Sequence, residues 1–279
     1  MMSLFHEVAH QCSEAVTRKY STSFSSAIRL LHKDLRAPIY NIYGYVRFAD
    51  EIVDTFHGYD KAKLLADFEC DTWEAINTGI SLNPILHSFQ QAVHRYNIPH
   101  ELIHAFLHSM KLDLEKTDYN TAHELDEYVY GSAEVVGLMC LCVFCEGDKA
   151  AYERLKEPAR KLGAAFQKIN FLRDIQADYN NLNRTYFPDF DYYRFDDSTK
   201  QRIEEGIEQD FKDSISGIRQ LPWKARFGVY TAYRYYYALF KKIRKMQPRM
   251  VLEQRVRVPD YEKALIVMQA GWNNRFNLI

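Results

Sequence analysis

Residues 163–178, GAAFQKINFLRDIQAD, place Gly163, Gln167, Asn170, Asp174 and Asp178 at i, i+4, i+7, i+11 and i+15, one stripe of an α-helix. Leu162, Phe166, Ile169, Leu172 and Ile175 make the remaining sides apolar. A helix that is apolar nearly all round belongs in a core. Its polar stripe must then line a polar cavity or hold ions, because buried polar groups without partners are costly. Two aspartates one turn apart suit a hard divalent cation that keeps some waters and shares its other positions with a phosphate.

Residues 40–54, YNIYGYVRFADEIVD, repeat the arrangement. Tyr43, Arg47, Asp50 and Asp54 fall at i, i+4, i+7 and i+11, while Ile39, Ile42, Val46, Ile52 and Val53 supply packing sides. Pro38 fits the first turn of such a helix. One acidic pair on a helix is usually solvated or salt-bridged. Two pairs on otherwise apolar helices, each beside an arginine (Arg47, Arg173), point to a cation site between them.

The rest of the chain limits what could surround such a site. Its 279 residues can bury a large core. Eleven glycines and 8 prolines imply long helices and few tight turns, and no strand-like alternation, repeat or low-complexity tract interrupts them. The chain reads as all-α and one domain, 1–279. Lys+Arg 36 against Asp+Glu 37 gives no reason to expect nucleic acid. Of 5 cysteines, Cys140, Cys142 and Cys145 cluster at an apolar run, VVGLMCLCVF. No second CxxC stands at zinc spacing, so they read as small buried hydrophobes in a reducing, cytoplasmic setting. No signal peptide opens the sequence, and no apolar run is expected to reach the roughly 18–20 residues that span a bilayer.

In chain order, helices are expected over 4–19, through the first aspartate pair to a stop near Gly58, and over 60–77. Further helices are expected over 85–96 behind Asn83-Pro84, and from Pro99 onward. The hydroxyls of YSTSFSS, Ser21 and Ser23, suit capping of the next helix. His100-Glu101-Leu102-Ile103-His104 matches the HExxH of zinc hydrolases, but it begins immediately after a proline and lacks an extended signature. A solvated helix start is the better account. Thr121 and Glu124 form a capping box for a helix that carries Tyr130, Glu134 and Gly137 on one side. Residues 179–198 form the longest irregular stretch, which suits an ordered lid. Two closing helices, 200–220 and 222–245, end in KKIRK, a basic cluster suited to the helix dipole or to anionic lipid headgroups.

These residues carry a resemblance. The first segment (Tyr43, Arg47, Asp50, Asp54) and the second, LGAAFQKINFLRDIQADYNNLNRTYFP (Gln167, Asn170, Arg173, Asp174, Asp178, Arg184, Tyr186, Pro188), are similar to the squalene/phytoene synthase family of head-to-head isoprenyl diphosphate synthases. YSTSF (20–24), YVYGSAEVVG (128–137) and RVRV from Arg255 support it more weakly. Within the family the second segment looks most like bacterial phytoene synthases. The resemblance implies an isoprenoid synthase helical bundle around a cavity. It also implies that Ser21, Ser23, Phe24, Arg47, Gln167, Asn170, Arg173, Arg184, Tyr186 and Arg255 contact substrate, and that Tyr130 stands near the reacting groups. Glu134 departs from the pattern, which has a small residue there; its carboxylate would join the cavity or pair with an arginine.

The chemistry follows from the residue types. Asp50, Asp54, Asp174 and Asp178, with Asn170, would hold Mg²⁺, or Mn²⁺ in its place, against diphosphate oxygens. Arg47, Arg173 and Arg184 would add planar charge-assisted bonds. Tyr43, Tyr130, Phe24 and Phe166 would face an allylic cation, each aromatic face attracting it by about 0.5–2 kcal/mol. The resemblance implies that two geranylgeranyl diphosphates are joined to phytoene through a cyclopropyl diphosphate, without nicotinamide. Squalene or dehydrosqualene synthesis from farnesyl diphosphate is the alternative within enzymes. A helical binding or assembly protein of the same fold is the alternative outside them.

Overall fold

The computed structural model describes residues 2–182, 184–188 and 190–275. Among these there is no strand, only one isolated bridge between Asp118 and Thr185. α1 (Met2–Tyr20) and α2 (Thr22–Arg29) meet at Ser21, whose hydroxyl accepts the Phe24 N–H at 3.2 Å as an N-cap. α3 (Lys33–Asp54) starts earlier than the sequence pattern suggested, so Pro38 lies inside it rather than in its first turn. It stops at Asp54, and Gly58 takes a φ of 93° in the turn beyond. α4 (Lys61–Thr78), α5 (Pro84–Tyr96) and α6 (His100–Glu115) follow, α5 capped by Asn83.

α7 (Ala122–Val129) opens on the capping box: Thr121 Oγ1 accepts the Glu124 N–H, and the Glu124 carboxylate accepts the Thr121 N–H. A five-residue π-turn, Tyr130–Glu134, joins it to α8 (Val135–Cys145). Contrary to expectation, the continuous helical run Ala122–Cys145 is long and apolar enough to cross a membrane, with a best-window hydropathy of 1.7. Most of that window (61%) is buried inside the protein against α6, α3 and the helix that follows, so the run is a core helix. Burial also pushes the Cys142 and Cys145 thiols up, to about 12 and about 11, which leaves them inert.

The helix that follows is the axle of the fold. α9 (Lys149–Leu182) has 34 residues and, at 1.5 Å per residue, runs about 50 Å. α8 and α10 (Asp197–Gln220) pack along it. Because α9 continues to Leu182, the irregular stretch is shorter than the expected 179–198, and it includes a 3₁₀ turn, Tyr192–Arg194. α11 (Trp223–Arg244) closes the bundle. Two helices not anticipated, α12 (Pro248–Glu253) and α13 (Asp260–Arg275), pack on α9 and α11 respectively.

One apolar cluster joins α3–α6 and α8, with Tyr45 stacked on Phe89 at 3.8 Å. Another joins α9, α10 and α11. Each fully buried large side chain stabilises the fold by about 1.5–3 kcal/mol before entropy is counted. A cavity of about 560 Å³ is walled by α2, α3, α8, α9 and α11.

Candidate active site

Both aspartate pairs line this cavity at one end. Asp50 and Asp54 come from the last turns of α3, Asp174 and Asp178 from the last third of α9. Asp50, Asp54 and Asp178 lack enough cation to offset one another. Burial, then the neighbouring Asp54, pushes Asp50 up to about 8. Burial, then Asp174 and Asp54, pushes Asp178 up to about 7. Asp54 is raised as well, chiefly by burial. Crowded carboxylates that resist joint ionisation are what a hard divalent cation relieves, so the donor set fits one. Among the described residues the four have not closed to ligand geometry. Asp174 is instead held by Arg173 Nε at 3.1 Å and Arg255 Nε at 2.7 Å.

Arginines surround the acids. Arg47 pairs with Glu51 and lies 3.8 Å from Asp50, with its guanidinium 4.4 Å over the Tyr20 ring. Arg184 is buried, 3.0 Å from Asp113 and 3.6 Å from Asp54. The Nε atoms of Arg47 and Arg184 are buried with no protein partner. Two orphaned donors beside the aspartates suit an anionic ligand with several oxygens. Asn170 and Gln167 stand one and two turns below Asp174 and share a 3.4 Å contact. Ser21 and Tyr186 also line the cavity.

Below this polar end the wall turns aromatic. Phe24 faces Tyr43, Phe166 and Tyr236 at ring separations of 5.7, 6.1 and 5.6 Å, and Phe166 stacks on Tyr236 at 4.0 Å. Tyr236, overlooked in the sequence among the many tyrosines of α11, donates its hydroxyl to Asn170 Oδ1 at 3.3 Å and so joins box to acids. Burial, then Tyr236 and Asp50, pushes the Tyr43 hydroxyl up to about 12, so it stays protonated near neutral pH. Deeper still the lining is apolar or small: Ile39, Leu155, Ala159, Gly217, Leu221 and Val229 among others.

Two sequence candidates lie elsewhere. Ser23 is outside the cavity lining, and so is Tyr130, whose ring lies beneath the Arg160 guanidinium at 5.3 Å. The π-turn explains Tyr130. Its wider turn shifts the helical phase by roughly one residue, or about 100°. Ser132, Ala133, Val136 and Gly137 therefore face inward, while Tyr130 and Glu134 do not. Of the two fates open to Glu134, pairing is the one observed: Arg160 Nε donates to it at 2.6 Å. Gly163 makes the tight fit possible, since a Cβ there would meet the Ala133 carbonyl at 2.8 Å.

The HELIH row belongs to packing. His104 stacks on Trp73 at 4.1 Å, His100 lies 5.5 Å from the same ring, and His108 faces Glu127. No cluster of three or more His, Cys, Asp or Glu with ligand geometry occurs among the described residues.

An all-helical bundle with a deep apolar cavity capped by facing aspartates defines a terpenoid-synthase type of enzyme, and comparison with known proteins agrees. The family model for squalene/phytoene synthase matches residues 17–262. The chain is 25% identical to a 15-cis-phytoene synthase of a Paracoccus species, over 94% of this chain and 90% of the relative. It is 26% identical to a 4,4'-diapophytoene synthase of Staphylococcus haemolyticus, over 73% of this chain and 70% of the relative. A solved dehydrosqualene synthase in complex with ligand superposes with a TM-score of 0.82 at 20% identity, covering 97% of this chain and 98% of that one. The chain belongs to the squalene/phytoene synthase family. It is a prenyltransferase-type enzyme, of a family that uses a divalent metal to ionise prenyl diphosphates.

Proposed function

We propose that this enzyme condenses two geranylgeranyl diphosphates head-to-head to phytoene, with Mg²⁺ at the aspartates and no reduced nicotinamide. The observation that carries the C20 assignment is cavity depth. Lining residues follow one face of α9 from Asp174 down to Leu155, a distance of about 28 Å. At roughly 5 Å per isoprene unit from ordinary bond lengths, a C20 chain extends about 20 Å and a C15 chain about 15 Å. At the far end the lining is Leu155, Ala159, Leu221 and Val229, with Gly217 and Gly228 letting Pro158 and Leu31 pack closely behind it. The phytoene synthase relative supports the same reading.

When bound at Asp50, Asp54, Asp174, Asp178 and Asn170, the metal supplies Lewis-acid neutralisation of the departing diphosphate. Arg47, Arg173, Arg184 and Arg255 bind and orient its oxygens, with Ser21, Gln167 and Tyr186 beside them. Phe24, Tyr43, Phe166 and Tyr236 exclude water and present aromatic faces to an allylic cation. Tyr43 keeps its proton, so the final proton leaves to the released diphosphate rather than to this hydroxyl. The enzyme works in the cytoplasm as the single unit 1–279, with the basic end of α11 against the inner face of the cell membrane for product release.

A second reading is a C15 enzyme, favoured by the diapophytoene synthase relative and the dehydrosqualene synthase superposition. Incubation with C15 and C20 diphosphates, each with and without NADPH, separates the two by product mass. A C30 product alone, or a C20 reaction that halts at the cyclopropyl diphosphate until NADPH is added, refutes the phytoene assignment.

A further inference from the structure

Beneath the first aspartate pair lies a buried ionic group that the chemistry above does not use. Asp113, in the last turn of α6, is only 9% exposed. Its carboxylate accepts the Tyr128 hydroxyl at 2.8 and 2.9 Å, and Arg184 Nη1 lies 3.0 Å away. Arg184 Nη2 also donates to the Asp113 backbone carbonyl at 2.7 Å, so one residue grips the guanidinium through side chain and main chain together. The grip extends along the chain. The Arg184 N–H bonds the Asp178 carbonyl at 3.1 Å, the Thr185 N–H bonds the Thr117 carbonyl at 2.8 Å, and Thr185 Oγ1 donates to Asp118 at 2.8 Å. Tyr119, Tyr128, Phe171 and Tyr186 stack around it, with Phe171 and Tyr186 at 3.8 Å.

The same guanidinium reaches forward to Asp54, 3.6 Å away, with its Nε buried and unpartnered. With Nη1 also 3.3 Å from the Tyr186 hydroxyl, an arginine fixed by three acceptors behind it has little freedom in where it points. We propose that Asp113 is a positioning residue: it anchors Arg184 at the seam between the two aspartate pairs, so that Asp54 and a diphosphate oxygen meet a donor already in place. The proposal rests on the diphosphate reading of the site. It assigns Asp113 no contact with substrate.

The test uses inorganic diphosphate with Mg²⁺ as probe and thermal stabilisation as readout, alongside the Mg²⁺ concentration giving half-maximal turnover. Wild-type protein should be stabilised by the probe. Asp113→Asn, which keeps the shape and removes the charge, should lose most of that shift and need roughly tenfold more Mg²⁺. Asp113→Glu should recover part of both. In an Arg184→Lys background, Asp113→Asn should change neither further, because it acts through that arginine. Tyr128→Phe gives the same direction with smaller size if Asp113→Asn does not fold. A wild-type shift and Mg²⁺ requirement in folded Asp113→Asn, or effects that add in full to those of Arg184→Lys, overturns the proposal alone. No shift in the wild type overturns the diphosphate reading with it.

Discussion

Replacing Val229 with phenylalanine should shorten the cavity at a depth that separates the two candidate substrates. Tyr236 is level with Asn170 through their hydrogen bond, one turn below Asp174. Val229, which lines the cavity, is two turns further down α11, so it sits about 16 Å below the aspartates. A C15 chain of about 15 Å ends above that level, while a C20 chain of about 20 Å must pass it. A ring there displaces the last isoprene unit, about five carbons at about 0.8 kcal/mol each, or about 4 kcal/mol. Relaxation of the wall recovers part of this. The kcat/KM for C20 substrate should fall by about 10²–10³, and that for C15 by no more than about threefold. Product formation from each substrate alone reads this out, with a thermal melt to check that the larger side chain has not cost the fold. Unimpaired C20 turnover in the folded variant, or a parallel loss on C15, would show that α11 does not set depth as argued.

The other expectations concern the acids and the histidines. Asp50→Asn or Asp174→Asn should lower turnover by roughly 10²-fold or more with the helical circular dichroism retained, and EDTA should abolish turnover; activity surviving in EDTA refutes the metal site. Asp50 and Asp178 are raised to about 8 and about 7. Without cation their contribution to stability is complete below about pH 4 and is lost as pH rises through 7–8. A cation replaces those two protons, so Mg²⁺ affinity should rise by roughly fiftyfold between pH 6 and 7, and a pH-independent affinity by titration calorimetry contradicts the argument. His104→Ala should lower the melting temperature slightly, through loss of a ring contact worth about 0.5–1.5 kcal/mol, yet leave activity and metal content unchanged, as should His100→Ala. Stoichiometric zinc lost in those variants would reopen the hydrolase reading.

The two aspartate stripes were legible because a polar row on an otherwise apolar helix has only an interior to occupy. Residues whose role comes from a partner far along the chain were not. Asp113 stands in KLDLEK, where alternating charges resemble a solvated helix end, and its partner Arg184 is far off in sequence. Tyr236 was hidden by its neighbours Tyr233, Tyr235 and Tyr237, which share its type and not its position. Tyr130 was misplaced by assuming 3.6 residues per turn through a π-turn. α13 was not anticipated, and Tyr261, Leu265, Met268 and Trp272 stay largely exposed along it.

The apolar run Ala122–Cys145 has a consequence for the order in which the chain is made. Its flank against α9 stays bare until α9 residues as far as Phe171 have left the ribosome, about one to five seconds later at about 5–20 residues per second. During that interval a 24-residue helix with the hydropathy of a bilayer anchor is exposed to the cell. Its partners on α3 and α6 are already synthesised by then. Early docking of the nascent α7–α8 arm onto those helices therefore shortens the time for which its apolar surface is bare.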